Sequence, residues 1–141
     1  MKLVSGHDAT VIDWLARAHG VHVVQHPRMV LGIVDYGGVL RGAFVVTWRH
    51  DATAELSVYG AVSPDAFKGM FRAVFLECGV HRFEVRTSRK NKKVRKAAIK
   101  FGWRFECVAR DYYGPGDDAF CFAMTANECR WIKGTHSELA I

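Results

Sequence analysis

Apolar positions along this chain recur in two periods, and the switches between them divide it into elements. From Asp8 to His19, Val11, Trp14, Leu15 and Ala18 return every three or four residues, which predicts a helix with Asp8 as its cap and those four facing inward. Ser63-Pro64-Asp65 carries helix-start chemistry, with Ser63 as N-cap and Pro64 at the first helical position. Phe67, Met70, Phe71, Val74, Phe75 and Cys78 then follow at helical spacing until Gly79 ends the run. A third helix starts at Asn91, sets Val94, Ala97, Ala98 and Phe101 on one face, and stops at Gly102.

Strand patterns fill the intervals. Met29 to Tyr36 is almost continuously apolar, the pattern of a strand buried on both faces. Gly37-Gly38 makes a tight turn into Val39–Trp48. In Ala54–Gly60, Leu56 and Val58 alternate with Glu55, Ser57 and Tyr59. Val80–Thr87 follows the second helix as a βαβ crossover would. Trp103–Arg110 alternates strictly, with Trp103, Phe105, Cys107 and Ala109 on one side. Gly114-Pro115-Gly116-Asp117 turns the chain into Ala119–Thr125, and Lys2–Ser5 is a short first strand. The order is β-α-β-β-β-α-β-α-β-β, an α/β chain of the α+β kind. From Ala126 the signals are mixed, so residues 126–141 are expected to be a C-terminal tail with a disordered end.

Composition narrows the class. A chain of 141 residues, 50% hydrophobic and 24% charged, suits one globular domain. No window approaches the ~18 uninterrupted apolar residues of a membrane span, and the N-terminus has no apolar signal core; the expected setting is cytoplasmic. None of the four cysteines forms a C-x-x-C pair, so reduced, mostly buried thiols are expected. His19, His22 and His26 do not suggest a metal site, because Gly20 and Pro27 interrupt any helix that would align them. No nucleophile elbow or Walker loop is present. The net charge of +6 is concentrated between Arg86 and Arg104, where nine basic residues meet no acid. That stretch favours an acidic partner, whether a phosphorylated cofactor, nucleic acid or an acidic protein surface.

The run Asn91-Lys92-Lys93-Val94-Arg95-Lys96-Ala97-Ala98-Ile99-Lys100-Phe101-Gly102-Trp103 resembles the late helix of the GCN5-related N-acetyltransferases, with Asn91, Lys100, Gly102 and Trp103 in register. Arg104-Phe105-Glu106-Cys107 is similar to the strand that follows it, especially in the ribosomal-protein alanine acetyltransferase branch. Asp35 to Gly42 resembles the family's hairpin, and Ala54-Glu55-Leu56 with Val62-Ser63-Pro64 its fourth strand and exit. The resemblance covers about residues 2 to 125 and implies a GNAT-like acetyltransferase domain over 1–125. Its fold would be a central mixed, mostly antiparallel sheet of six to seven strands with three to four helices, and a V-shaped splay between the fourth and fifth strands. In this chain those strands are expected to part after Tyr59.

The resemblance also implies chemistry. Acetyl-CoA would be the co-substrate, its pantetheine held along Val58, Gly60 and Val62. Its diphosphate would lie on amides at Lys68, Gly69, Met70, Phe71 and Arg72, with Asn91 nearby. Two positions depart from the family's phosphate-loop pattern: Ala66 replaces a Gln or Arg, and Phe71 a small residue. Glu55 matches a position from which some members activate the amine, and also reads as an ordinary strand carboxylate paired with an Arg. The usual tyrosine acid is Ala98 here, which leaves Tyr59, or Tyr112 and Tyr113, to serve or simply to pack. The acceptor would be an amine on a protein or a small molecule. An α-amine is neutral in roughly one molecule in seven at pH 7, a lysine in about one in a few thousand. A monomer or homodimer without metal is expected. Two alternatives stand beside this: a catalytically silent GNAT-like binding or structural protein of the kind some tailed phages encode, and a nucleic-acid-binding module using Arg86–Arg104.

Overall fold

Among the described residues, seven strands form a single sheet in the order β1-β2-β3-β4-β5-β7-β6. The computed structural model describes residues 1–23 and 28–132. Its strands are β1 (Lys2–Val4), β2 (Arg28–Val34), β3 (Leu40–His50), β4 (Thr53–Gly60), β5 (Arg82–Ser88), β6 (Arg104–Gly114) and β7 (Asp117–Thr125), and its helices are α1 (Asp8–His19), α2 (Pro64–Arg72) and α3 (Lys92–Phe101). Neighbours pair antiparallel except β4 and β5, which are parallel. A parallel pair needs a crossover connection, and the segment from Ala61 to His81 that carries α2 supplies it.

Helices cover both faces, which accounts for the continuous apolar run in β2. Val30, Ala43 and Val45 pack with Val11 and Leu15 of α1. Leu31, Ile33, Phe44 and Val46 pack on the opposite face with Phe67, Met70 and Phe71 of α2 and Ala98 of α3. Successive strand residues point to opposite sides, so each strand feeds two cores.

Local signals set the helix ends. The Ser63 hydroxyl accepts from the Ala66 amide at 3.2 Å with Pro64 first in the helix, and the Asn91 side chain accepts from the Val94 amide at 3.2 Å. Gly102 closes α3 in the left-handed conformation. For α1 the cap is His7, without a side-chain cap bond, and Asp8 is the first helical residue. Its inward face is narrower than the spacing predicts, with Val11 and Leu15 buried, Trp14 half-buried and Ala18 exposed. The second helix changes pitch, because Ala73–Glu77 is a π-helical turn; this carries Cys78 off the apolar stripe into solvent.

Two expectations fail at the far edge of the sheet. The alternation in β6 does not translate into burial: Phe105 is 49% exposed, and Cys107 is exposed while Cys121 and Cys129 are buried. β6 is an edge strand, so among the described residues one side of its ladder is open and no helix covers its outer half. Residues 126–132, expected to begin the tail, fold back instead. Ala126–Glu128 is a short 3-10 turn, Cys129 and Ile132 are buried in the larger core, and the Trp131 indole N–H donates to the Phe101 carbonyl at 2.8 Å.

Glu128 secures that return. Its carboxylate accepts from Arg104 and from the Thr125 hydroxyl and amide, and these bonds, Arg104 first, lower its pKa from 4.5 to about 2. A carboxylate depressed on folding contributes stability that is whole above its unfolded pKa and is lost as pH falls through the folded one. Wild-type melting temperature is therefore expected to decline between pH 4.5 and pH 2 more steeply than that of Glu128→Gln. Parallel melting curves for the two proteins would exclude this contribution. The effect is small, since exposed ion pairs are strongly screened.

Candidate active-site cleft

The parallel pairing of β4 with β5 runs from Thr53–Arg82 to Leu56–Val85 and stops there. β4 continues to Gly60 while paired on its other side with β3, and β5 continues to Ser88 paired with β7. The two strands therefore part after Leu56, earlier than the expected Tyr59. Beyond that point the β5-facing backbone groups of β4 have no strand partner, and such groups need a hydrogen-bonding partner when buried. The opening is a cleft of about 290 Å³. Leu56, Val58, Gly60 and Val62 line it from β4 and its exit, Val85 from β5, and Asn91, Lys93, Val94, Ala97, Ala98 and Phe101 from α3.

Gly60 is needed for this geometry. It sits at φ +73°, and a Cβ there would press into the Arg41 carbonyl oxygen and lie 3.0 Å from the Gly42 Cα. Only glycine takes that backbone state without strain, and it lets the Ala61 amide reach the Arg41 carbonyl at 2.9 Å.

The start of α2 determines which amides face an anion. Pro64 has no N–H, the Ala66 N–H is taken by the Ser63 hydroxyl, and the Phe67 N–H by the Ser63 carbonyl. Among the described residues, the amides of Val62, Ser63 and Asp65 are left without an acceptor. Lys68, Gly69, Met70, Phe71 and Arg72, the expected diphosphate cradle, lie inside the helix, where backbone amides bond to the preceding turn. Gly69 has a packing role: a Cβ there would come within 2.9 Å of Leu3 in β1. Phe71 is fully buried against Phe83 and Trp103, with ring centroids 6.3 Å and 5.0 Å away. The Lys68 ammonium sits over the Trp131 ring at 5.7 Å. The cleft is lined mostly by apolar side chains, with Asn91 and Lys93 contributed by α3. A diphosphate would have to use the helix start and Lys93, beside the unfavourable carboxylate of Asp65.

Alternation sends Glu55, Ser57 and Tyr59 to the opposite face of the sheet. The Arg49 guanidinium donates to Glu55 Oε2, so the carboxylate has the Arg neighbour that its ordinary reading required. Tyr59 lies toward α1, its ring 6.3 Å from that of His19; it does not line the cleft. Arg86 of β5 projects to the same face as Glu55, pairs with Glu84 at 3.8 Å, and holds its guanidinium 5.5 Å from the Tyr112 ring centroid. Its buried Nε has no acceptor. Burial pushes the Tyr113 hydroxyl above its ordinary pKa, with Tyr112 and Glu55 adding to the effect. Sequence reasoning missed Arg49, Arg86 and Lys93 as site residues. Lys93 had a signal, being next but one to the capping Asn91, whereas the other two depend on strand pairing. His19 packs on Trp14 at 4.8 Å, and His26 lies outside the described residues.

The outer flank of α3 forms a second depression, of about 690 Å³, between Lys92, Arg95, Lys96 and Ile99 on the helix and Phe105, Phe120 and Phe122 on β6 and β7. The Arg95 guanidinium lies 4.5 Å from the Phe120 ring centroid.

A mixed, mostly antiparallel sheet with helices on both faces, opened between its one parallel pair, is the fold of the GCN5-related N-acetyltransferases. Solved structures of that kind superpose on this chain. A spermidine N-acetyltransferase variant from Vibrio cholerae matches with a TM-score of 0.66 at 13% identity, over 87% of this chain and 79% of that one. A GCN5-related N-acetyltransferase from Brucella melitensis matches with a TM-score of 0.66 at 22% identity, over 95% and 65%. A GNAT-family acetyltransferase from Bacillus anthracis gives 0.60 at 18%, over 70% and 67%. At these identities the likeness is one of fold. No family model and no curated protein sequence matches the chain.

Proposed function

We propose that this protein is an acetyl-CoA-dependent N-acetyltransferase whose thioester enters the β4–β5 opening from the α3 side while an amine arrives at the Glu55 face. The observation that carries the reading is the unpaired edge of β4 beyond Leu56, turned toward an apolar cleft. Leu56, Val58, Val62, Val85 and Ala98 would exclude water around the pantetheine, and free amides along the β4 edge would hold it. The thioester supplies an activated acetyl group. Glu55 Oε2 is engaged by Arg49, so Oε1 is the oxygen left to take a proton from an arriving ammonium. Ala98 offers no proton to a departing thiolate, and Tyr59 belongs to the amine face, where it would shape the acceptor site. Holding amine and thioester side by side supplies much of the rate.

Acetyl-CoA is expected to raise the melting temperature, since ligand at 100 Kd adds about 2.7 kcal/mol. Glu55→Gln should keep that rise and lose roughly 10²-fold in amine-dependent thiol release at pH 7. Absence of a rise at millimolar acetyl-CoA would turn the reading to the silent binding protein. An undiminished rate in the variant would remove Glu55 from the chemistry.

One observation favours a second reading. Lys92 and Lys96, without carboxylate partners among the described residues, flank the exposed Phe105 ring, and cations beside aromatic faces suit single-stranded nucleic acid. Retention of RNA that weakens with salt, survives saturating CoA and is lost in the double variant Lys92→Glu, Lys96→Glu would support it; retention unchanged in that variant would not.

A further inference from the structure

The β6–β7 register sets Cys107 directly opposite Cys121, a juxtaposition that the sequence spacing does not announce. Directly opposed residues in an antiparallel pair have Cα atoms about 4.5–5.5 Å apart, inside the ~4.4–6.8 Å range that disulfides span. Opposed residues also share a face, and the two thiols are close enough to hydrogen-bond to each other. Their exposures differ: Cys107 is exposed on the edge strand and Cys121 is buried. A β-bulge between Phe105 and Cys107 interrupts the ladder beside the pair, where an edge strand has room to adjust. Cys78 follows the π-helical turn and Cys129 follows the short turn after β7, both outside the paired strands.

We infer that Cys107 and Cys121 form a dithiol that is oxidised to an intrachain disulfide by exchange with small-molecule disulfides, Cys107 being the entry thiol and Cys121 the resolving one. The Cys107 thiolate attacks one sulfur of RS–SR; a protein–SR bond forms and RS⁻ leaves, taking up a proton. Cys121 gives up its proton and attacks the Cys107 sulfur; the Cys107–Cys121 bond forms and the second RS⁻ leaves. Two protein thiols are oxidised and one small disulfide is reduced to two thiols. At rest Cys121 is held as a thiol: burial and the hydrogen bond with Cys107 raise its pKa, and Arg86 acts in the opposite sense. The Arg86 guanidinium beside the resolving sulfur favours its thiolate as exchange begins. Nothing in this depends on acyl transfer.

The test equilibrates the full chain with mixtures of oxidised and reduced glutathione, quenches in acid, unfolds, alkylates and weighs the protein. Wild type is expected to lose two of its four alkylatable thiols together, with a peptide map joining Cys107 to Cys121. Cys121→Ala should instead accumulate one glutathione on Cys107. Cys107→Ser, a change at an exposed position, should leave Cys121 reduced. The inference is overturned if wild type keeps four free thiols in the most oxidising mixture, if a glutathione adduct persists on its Cys107, or if the map joins other cysteines.

Discussion

Replacing Phe71 with alanine is expected to cost about 3–5 kcal/mol of stability and to bring no gain in affinity for acetyl-CoA. The substitution restores the small residue that the family's phosphate-loop pattern carries at this point, so a sequence-level repair would predict tighter binding. The structure predicts otherwise. The Phe71 ring is fully buried at the centre of an aromatic cluster, with Phe67, Phe75, Phe83, Trp103 and Trp131 all within 6.5 Å between centroids. Its amide is inside α2 and stays bonded within the helix whatever side chain it bears. Removing the ring opens a cavity that the β5 and α3 layers cannot close, against a total stability of about 5–15 kcal/mol for such a domain. Chemical denaturation with and without acetyl-CoA measures both effects. A variant of near-native stability that binds acetyl-CoA more tightly would mean that the Phe71 amide, not the start of α2, faces the diphosphate.

Filling the cleft from its helix side should have the opposite signature. Ala97→Trp puts an indole where the α3 wall faces Val58 and Val85 across the opening. Ala97 is only half-buried, so the ring can extend into space that is already open and the free protein should melt within a few degrees of wild type. The rise in melting temperature with acetyl-CoA should disappear, a loss of at least tenfold in affinity. Retention of the full rise, with native circular dichroism, would show that the ligand binds elsewhere. The outer flank of α3 is the first place to look, because Lys92, Arg95 and Lys96 point away from Ala97. Phe71→Ala and Ala97→Trp therefore separate two roles that one aromatic-rich layer combines: support of the fold and shaping of the opening.

Helix ends were legible because their chemistry is local. Ser63 and Asn91 each satisfy the amide three residues on, and Gly102 takes a backbone state that side chains resist. The parallel pair was legible because the run Val80–Thr87 follows directly on the segment containing α2, which is long enough for a crossover. The Asn91–Trp103 run lies on the helix that forms one wall of the cleft, which is why resemblance on those few residues led to the right fold. Gly69 shows the limit of that route. It matched a phosphate-loop glycine by position, yet the physical demand it meets is the approach of Leu3 from β1, an element far away along the chain.

What the amino-acid sequence determined by itself was the order of the main strands and helices and the two-sided burial of β2, because period and capping depend on neighbours within a turn or two. Only the tertiary structure decided that β4 and β5 separate at Leu56, that Glu55 meets Arg49, that Phe105 remains at the surface and that Cys107 faces Cys121. Each of these follows from strand register and from which strand ends at an edge, and register is fixed by the sum of contacts across the whole sheet rather than by any short stretch of residues.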